Sequence, residues 1–393
     1  MRPLLRLLAA GLLALGPALA STEASAGGAR PVDLRKPLWL GGVAHAPAGP
    51  GGSDAKLTLD PALQREAERL LAQAGAHEGA IVASDTRTGR ILAWASRGSR
   101  DYVSAAFAPS ASLFKLATTA ALLQSGKASP STRECYTGGE HAVEPRDLEG
   151  RGTTCTTLGE ALGHSVNLVF ARLAKKHLSP DILRKEAQEL GLSGEVPIDV
   201  AVSPSVVDIP DDPFGMARAS AGFWNGRLSP LGALFAMQTI ANEGERIRLS
   251  VIDHGGPTAR VSLGGGIPAP VARSMTQMLE LTTRRGTAAK AFTRPDGSRA
   301  LPGIGVAAKT GTLIGGHPSR MYSWFAAFAP STRPEIAVTV MLGNDLRWRT
   351  KANLVGRELL EAYFGARDSR LARSARRASP KRARAAGPEI RKR

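Results

Sequence analysis

Extended apolar segments lie at two distant places in this chain, and helical patterns fill the space between them. Gly79-Ala80-Ile81-Val82-Ala83-Ser84 and Arg90-Ile91-Leu92-Ala93-Trp94-Ala95 flank the turn Asp85-Thr86-Arg87-Thr88-Gly89, which is a hairpin signal. Three more strand candidates, 304–313, 321–329 and 335–342, come late, and a helix from about Thr350 to Phe364 follows them. Between these ends the chain reads as helix. Ser112 to Ser125 is nearly all apolar and stops at Gly126, a residue suited to the left-handed turn after a helix. Thr157-Leu158-Gly159-Glu160 is a capping box, and 167–177 and 230–243 carry helical patterns. Earlier, Lys56-Leu57-Thr58-Leu59 reads as a strand, and Asp60-Pro61 caps a helix continuing to Leu71. Each element must bury an apolar face, so early and late strands are expected to meet in one antiparallel sheet flanked by helices. The expected fold class is mixed α+β.

The two ends differ from this body. Arg2 and Arg6 precede an apolar run from Leu4 to Leu15, and Ala18-Leu19-Ala20 gives a small-x-small pattern. Residues 1–20 therefore read as a signal peptide, with an uncleaved anchor as the alternative. Spanning a bilayer takes about 20 apolar residues, and no later stretch offers them. Residues 21–55, rich in Ala, Gly and Pro, read as a linker, and 56–366 as the folded domain. The formal charge of +17 is concentrated in the tail, 367–393, which holds eleven Lys or Arg against two Asp or Glu. That tail reads as disordered. In an exported protein its suited partner is an anionic membrane or cell-wall surface, not nucleic acid. Export to the periplasm or cell envelope also favours a disulfide between Cys135 and Cys155 over two free thiols.

Several chemistries lack support. The seven histidines show no ligand spacing, so no metal site is expected. There is no G-x-S-x-G elbow. The glycines before Lys309 lack the P-loop pattern, and no cofactor is expected. Ser112-Leu113-Phe114-Lys115 is different. Opening a helix, residues i and i+3 share a face, which brings the Lys115 amine near the Ser112 hydroxyl. A lysine inside an apolar helix is costly while charged. Burial lowers its pKa, and a neutral amine can take a proton from serine. The plainer reading is a serine cap with a lysine reaching to solvent. A second copy, Ser53-Asp54-Ala55-Lys56, lies in the expected linker. Ser165-Val166-Asn167 and Lys309-Thr310-Gly311-Thr312 each occur once and follow in that order.

S-x-x-K, S-x-N and K-T-G in this order resemble the penicillin-binding protein transpeptidase domain. Leu57-Thr58-Leu59-Asp60-Pro61, the hairpin 79–93, Arg227-Leu228-Ser229-Pro230, Arg285-Gly286-Thr287-Ala288 and Ser323-Trp324-Phe325 agree with it. The resemblance covers roughly 56–364. Ala111 departs from it, standing where many members have glycine before the serine. The resemblance implies a five-stranded antiparallel sheet with an all-helical subdomain, and a domain standing without a glycosyltransferase domain. It implies Ser112 as nucleophile, Lys115 as general base, Ser165 as proton shuttle and Asn167 as a partner of the acyl-donor amide. It further implies that Lys309, Thr310 and Thr312 bind the substrate carboxylate, that Gly311 lies between them, and that the Ser112 and Thr312 amides form the oxyanion hole. The substrate so implied is a peptidoglycan stem ending in D-Ala-D-Ala, with β-lactams as inhibitors and a glycosyltransferase as partner protein. The competing readings are a β-lactamase on the same fold and a non-catalytic β-lactam binder. Val166 stands where class A β-lactamases have Asp. The nearest downstream glutamates, Glu186 and Glu189, are expected on a solvated helical face.

Overall fold

The structure is a computed structural model and describes residues 32–47, 54–138, 142–150, 152–223, 226–316, 318–347 and 350–378. The expected signal peptide, Ser53 of the second S-x-x-K, and the end of the basic tail lie outside these residues. The first described elements are three short strands, β1 (Leu38–Leu40), β2 (Val43–Ala46) and β3 (Ala55–Lys56), joined as one sheet. This corrects the expectation of a linker over 21–55. Leu34, Ala44, Ala46 and Ala55 are buried in the main core, although the Gly- and Pro-rich composition around them resembles a spacer. The expected strand at 56–59 shrinks to β3 plus a single bridge from Leu57 to Ile252.

Helix α1 (Pro61–Ala74) begins where Asp60 accepts from the amides of Ala62 and Leu63, and ends at Gly75 with φ 65°. The hairpin β4 (Glu78–Asp85) and β5 (Ile91–Arg97) follows. The late strands β11 (Ala307–Gly315), β12 (Arg320–Ala329) and β13 (Ile336–Asn344) join it in one antiparallel sheet of order β11-β12-β13-β4-β5. Alternate side chains of these strands enter two separate cores. Ile81, Ala83, Phe325, Val338 and Val340 pack with α1 and α9 (Ala352–Ala378). Ala80, Val82, Trp324, Ala326 and Met341 pack toward α7 (Pro230–Ala241). Helices cover both faces, which is why these strands read as continuous apolar runs instead of alternating ones.

The sheet edges are treated differently. At β5, the buried Gln64 side chain accepts from Trp94 N at 2.7 Å and donates to Trp94 O at 2.9 Å. One amide thus substitutes for a neighbouring strand at Trp94, beside backbone bonds from Asp60 N to Leu92 O and from Ile91 N to Ser250 O. The other edge is β11, which carries K-T-G and faces the helical layer.

That layer holds α2 (Lys115–Gln124), α3 (Leu158–His164), α4 (Asn167–His177), α5 (Pro180–Glu189), α6 (Pro213–Ser220) and α8 (Ala269–Arg284). The small strands β6 (Ala108–Pro109), β9 (Val206–Val207) and β10 (Gly226–Leu228) form a sheet beside it, and β7 (Arg133–Tyr136) pairs with β8 (Thr154–Thr157). Cys135 and Cys155 face each other across that last pair and are joined by a disulfide. The buried Arg172 of α4 donates to the carbonyls of Cys135, Glu149 and Gly150, pinning the hairpin to the layer. At the far end, α9 runs on to Ala378. This corrects the expected break at residue 366: Ala and Arg are strong helix formers, so the backbone stays helical after the apolar pattern fades.

Candidate active site

Ser112 sits on a single 3-10 turn, Ala111–Phe114, that runs directly into α2. Ala111 has φ 47°. An L-residue in that left-handed region costs roughly 1 kcal/mol, which a glycine at this position would avoid. Two glycines let other segments close on the turn. A Cβ on Gly311 would lie 3.3 Å from the Ala111 Cβ and 3.5 Å from Ser112 N, so β11 approaches the serine closely. A Cβ on Gly222, at φ 93°, would lie 2.0 Å from Ala111 O.

Lys115, the first residue of α2, is fully buried. Its Nζ lies 2.8 Å from Ser112 Oγ, 2.8 Å from Asn167 Oδ1 and 2.6 Å from Ala221 O. The two carbonyl oxygens can only accept. A neutral amine has two hydrogens and one lone pair, so donating to both carbonyls leaves the lone pair facing the Ser112 hydroxyl. Burial holds the Lys115 pKa well below the ordinary lysine value, and the neighbouring Lys309 charge lowers it further.

Ser165 ends α3 in the left-handed conformation, φ 61°, and Asn167 begins α4 two residues later. This tight connection between helices presents both side chains to one point. Lys309, on β11, is also fully buried, and its Nζ donates to Ser165 Oγ at 3.0 Å and to Thr310 O at 2.9 Å. Burial pushes its pKa down to about 7. Ser112, Ser165, Asn167, Thr310, Gly311 and Thr312 all line a cleft of about 350 Å³. Both lysines lie beneath its floor. A wider depression of about 690 Å³ between Glu280 and Val306 has three arginines but no serine, cysteine or histidine in its lining. Chemistry, not volume, marks the smaller cleft.

The sequence pattern brings together every residue of the three motifs. It missed the Ala221 carbonyl, which no side-chain pattern can reveal, and Gly222 beside it. It also gave no role to Thr287, whose hydroxyl lies 2.5 Å from that of Thr310. The glutamates are corrected. Glu186 is buried and accepts from Gln124 at 2.6 Å. Glu189 accepts from Arg246 and from Gly266 N. Glu186 is thus taken off the solvated face, Glu189 is half-buried in its pairing, and neither lines the cleft.

Fold and cluster together place the chain in the class that carries S-x-x-K, S-x-N and K-T-G on one α/β scaffold. The chain belongs to the penicillin-binding protein transpeptidase domain family, whose model matches residues 79–361. It is 28% identical over 371 residues to the peptidoglycan D,D-transpeptidase PbpA of Mycobacterium tuberculosis, covering 80% of this chain and 73% of that protein. The crystal structure of the same mycobacterial protein superposes with a TM-score of 0.66 at 25% identity, covering 79% of this chain and 82% of that one. Its imipenem acyl-enzyme complex gives 0.63, also at 25% identity, covering 79% and 80%. The D,D-transpeptidase domain of a peptidoglycan glycosyltransferase from Eggerthella lenta shares the fold, with a TM-score of 0.66 at 23% identity over 81% of this chain and 84% of that one. The family and the mixed α/β fold read from the motifs are thus borne out.

Proposed function

We propose that this chain is a D,D-transpeptidase of the cell envelope that acts through an acyl-enzyme on Ser112. The observation that carries the reading is the position of Lys115 Nζ, 2.8 Å from Ser112 Oγ with its N–H groups directed at Asn167 and Ala221. In this reading Ser112 Oγ attacks the carbonyl of the penultimate D-Ala, and its proton passes to the Lys115 lone pair. The amides of Ser112 and Thr312 hold the oxyanion as it forms. Ser165, hydrogen-bonded to Lys309, gives its proton to the departing D-Ala amine as the C–N bond breaks, and takes back the proton that Lys115 received from Ser112, which leaves the Lys115 amine neutral again. Asn167 orients the acyl-donor amide, and the Thr310 and Thr312 hydroxyls receive the terminal carboxylate on either side of Gly311. Charge on Lys309 favours the carboxylate from below. The ester on Ser112 is then resolved by the amine of a second stem or by water. β-Lactams acylate the same hydroxyl, as the imipenem complex of the mycobacterial relative illustrates by analogy. The signal segment directs export, and a glycosyltransferase supplies the glycan strands. The basic tail contacts anionic membrane or cell-wall surfaces.

The test is release of D-Ala from an acylated tripeptide ending in D-Ala-D-Ala, with and without a D-amino acid as acceptor. Release that requires Ser112 and yields an exchanged product with the acceptor supports the reading. Release unaffected by Ser112→Ala refutes it.

A further inference from the structure

The turn Arg285-Gly286-Thr287-Ala288 joins the two halves of the cleft. Thr287 N donates to Gly163 O at 3.1 Å, two residues before Ser165, and Ala288 N donates to Thr282 O at 2.9 Å. Arg285 pairs with Glu160 of α3. A Cβ on Gly286 would lie 2.1 Å from Gly163 O, so the turn presses directly on the end of α3. From this braced position the Thr287 side chain reaches β11, where its Oγ1 lies 2.5 Å from Thr310 Oγ1. Both residues line the cleft.

Two hydroxyls in contact share one hydrogen bond, and its direction matters. A carboxylate can only accept. If Thr310 donated to Thr287, its single proton would be unavailable to an incoming carboxylate. If Thr287 donates, the Thr310 proton is free to point into the cleft, and the bond it receives strengthens the one it gives. The backbone stitches hold Thr287 against Thr310 before the substrate arrives, so the pair of hydroxyls is already assembled when it binds.

We propose that Thr287 is a positioning residue of the carboxylate site: its hydroxyl donates to Thr310 and sets Thr310 to donate to the substrate carboxylate. Preference for acidic acyl donors therefore depends on a residue outside the three motifs. The inference rests on the reading under Proposed function, in which Thr310 meets a carboxylate.

The test measures acylation by a penicillin bearing its free carboxylate and by the methyl ester of the same compound. Wild type, Thr287→Val, Thr287→Ala and Thr287→Ser are compared, with binding separated from the acylation step by varying penicillin concentration. Removing one orienting hydrogen bond corresponds to about five- to tenfold. Thr287→Val and Thr287→Ala are expected to weaken binding of the acid by that factor, with its limiting acylation rate nearly unchanged. The acid-to-ester ratio falls accordingly, and Thr287→Ser restores it. In a Thr310→Val background, Thr287→Val should change the ratio no further. Equal losses for acid and ester would assign Thr287 a purely structural role and overturn the inference, as would an unchanged ratio or a serine variant that fails to restore it. Absence of any acylation of wild type would instead overturn the function itself.

Discussion

Gly222→Ala is the sharpest single perturbation of the site, because its effect reaches Lys115 through backbone alone. The new methyl carbon would sit 2.0 Å from Ala111 O and 3.1 Å from Ser112 N. Ordinary non-bonded contact is near ~3.5 Å, so the segment carrying Gly222 must withdraw by about 1.5 Å. The Ala221 carbonyl, now 2.6 Å from Lys115 Nζ, would move beyond hydrogen-bond range. Three costs follow. Alanine at φ 93° is strained by about 1–3 kcal/mol. A buried carbonyl left unpaired adds about 1–3 kcal/mol. Lys115 loses one of the two acceptors that aim its lone pair, and a displacement on the order of 1 Å costs about 10²-fold in rate. Gly126→Ala is the control, since Gly126 has a similar φ of 66° but open space around its Cβ position. Single-turnover acylation by a fluorescent penicillin, with thermal unfolding alongside, should show Gly222→Ala slowed by about 10²-fold. It should also lose more stability than Gly126→Ala. Acylation within a few-fold of wild type, with a stability loss no greater than that of the control, would show that the Ala221 carbonyl does not position Lys115.

Three further outcomes follow from the buried groups. Lys309 has its pKa pushed down to about 7, so its charge is lost as pH rises through about 7. Affinity for a carboxylate-bearing penicillin should fall across that range, the methyl ester should show no such fall, and Lys309→Met should flatten the profile. A constant affinity for the acid would contradict the electrostatic role. The same group makes stability rise between about pH 7 and 10.5, because there the unfolded chain holds a proton that the native lysine has released. Denaturant midpoints compared with Lys309→Met check the sign. Glu186→Gln should leave the lifetime of the penicilloyl ester unchanged, since Glu186 lies buried against Gln124 and away from the cleft. A markedly longer lifetime would give that carboxylate a part in deacylation.

The strands and the site motifs were legible for the same reason: both depend on local pattern. β12 and β13 are buried on both faces, and β11 over its first half, so the apolar runs at 304–313, 321–329 and 335–342 stand out, and the three strands fall within a few residues of them. Ser112 and Lys115 were paired by helical spacing, and the first turn is 3-10 instead of α without separating them. What failed to show depends on tertiary context. The three-residue strand β1 has Leu38 and Leu40 exposed, so neither its length nor its pattern distinguishes it from a spacer. Glu186 looked solvated because its neighbours Lys185 and Arg184 are polar, yet α5 turns that residue toward α2. The Ala221 carbonyl and the Thr287–Thr310 contact join segments far apart in sequence. No spacing rule connects them.

The proposed mechanism needs one hydroxyl to be acylated and one neutral amine to activate it. Mass spectrometry of peptides from penicillin-treated protein tests this most directly. A long-lived penicilloyl group on the peptide containing Ser112 is predicted. It should vanish in Ser112→Ala, persist in Ser53→Ala and form far more slowly in a folded Lys115→Ala variant. An adduct on another residue, or undiminished acylation of Ser112 without the Lys115 amine, would contradict it.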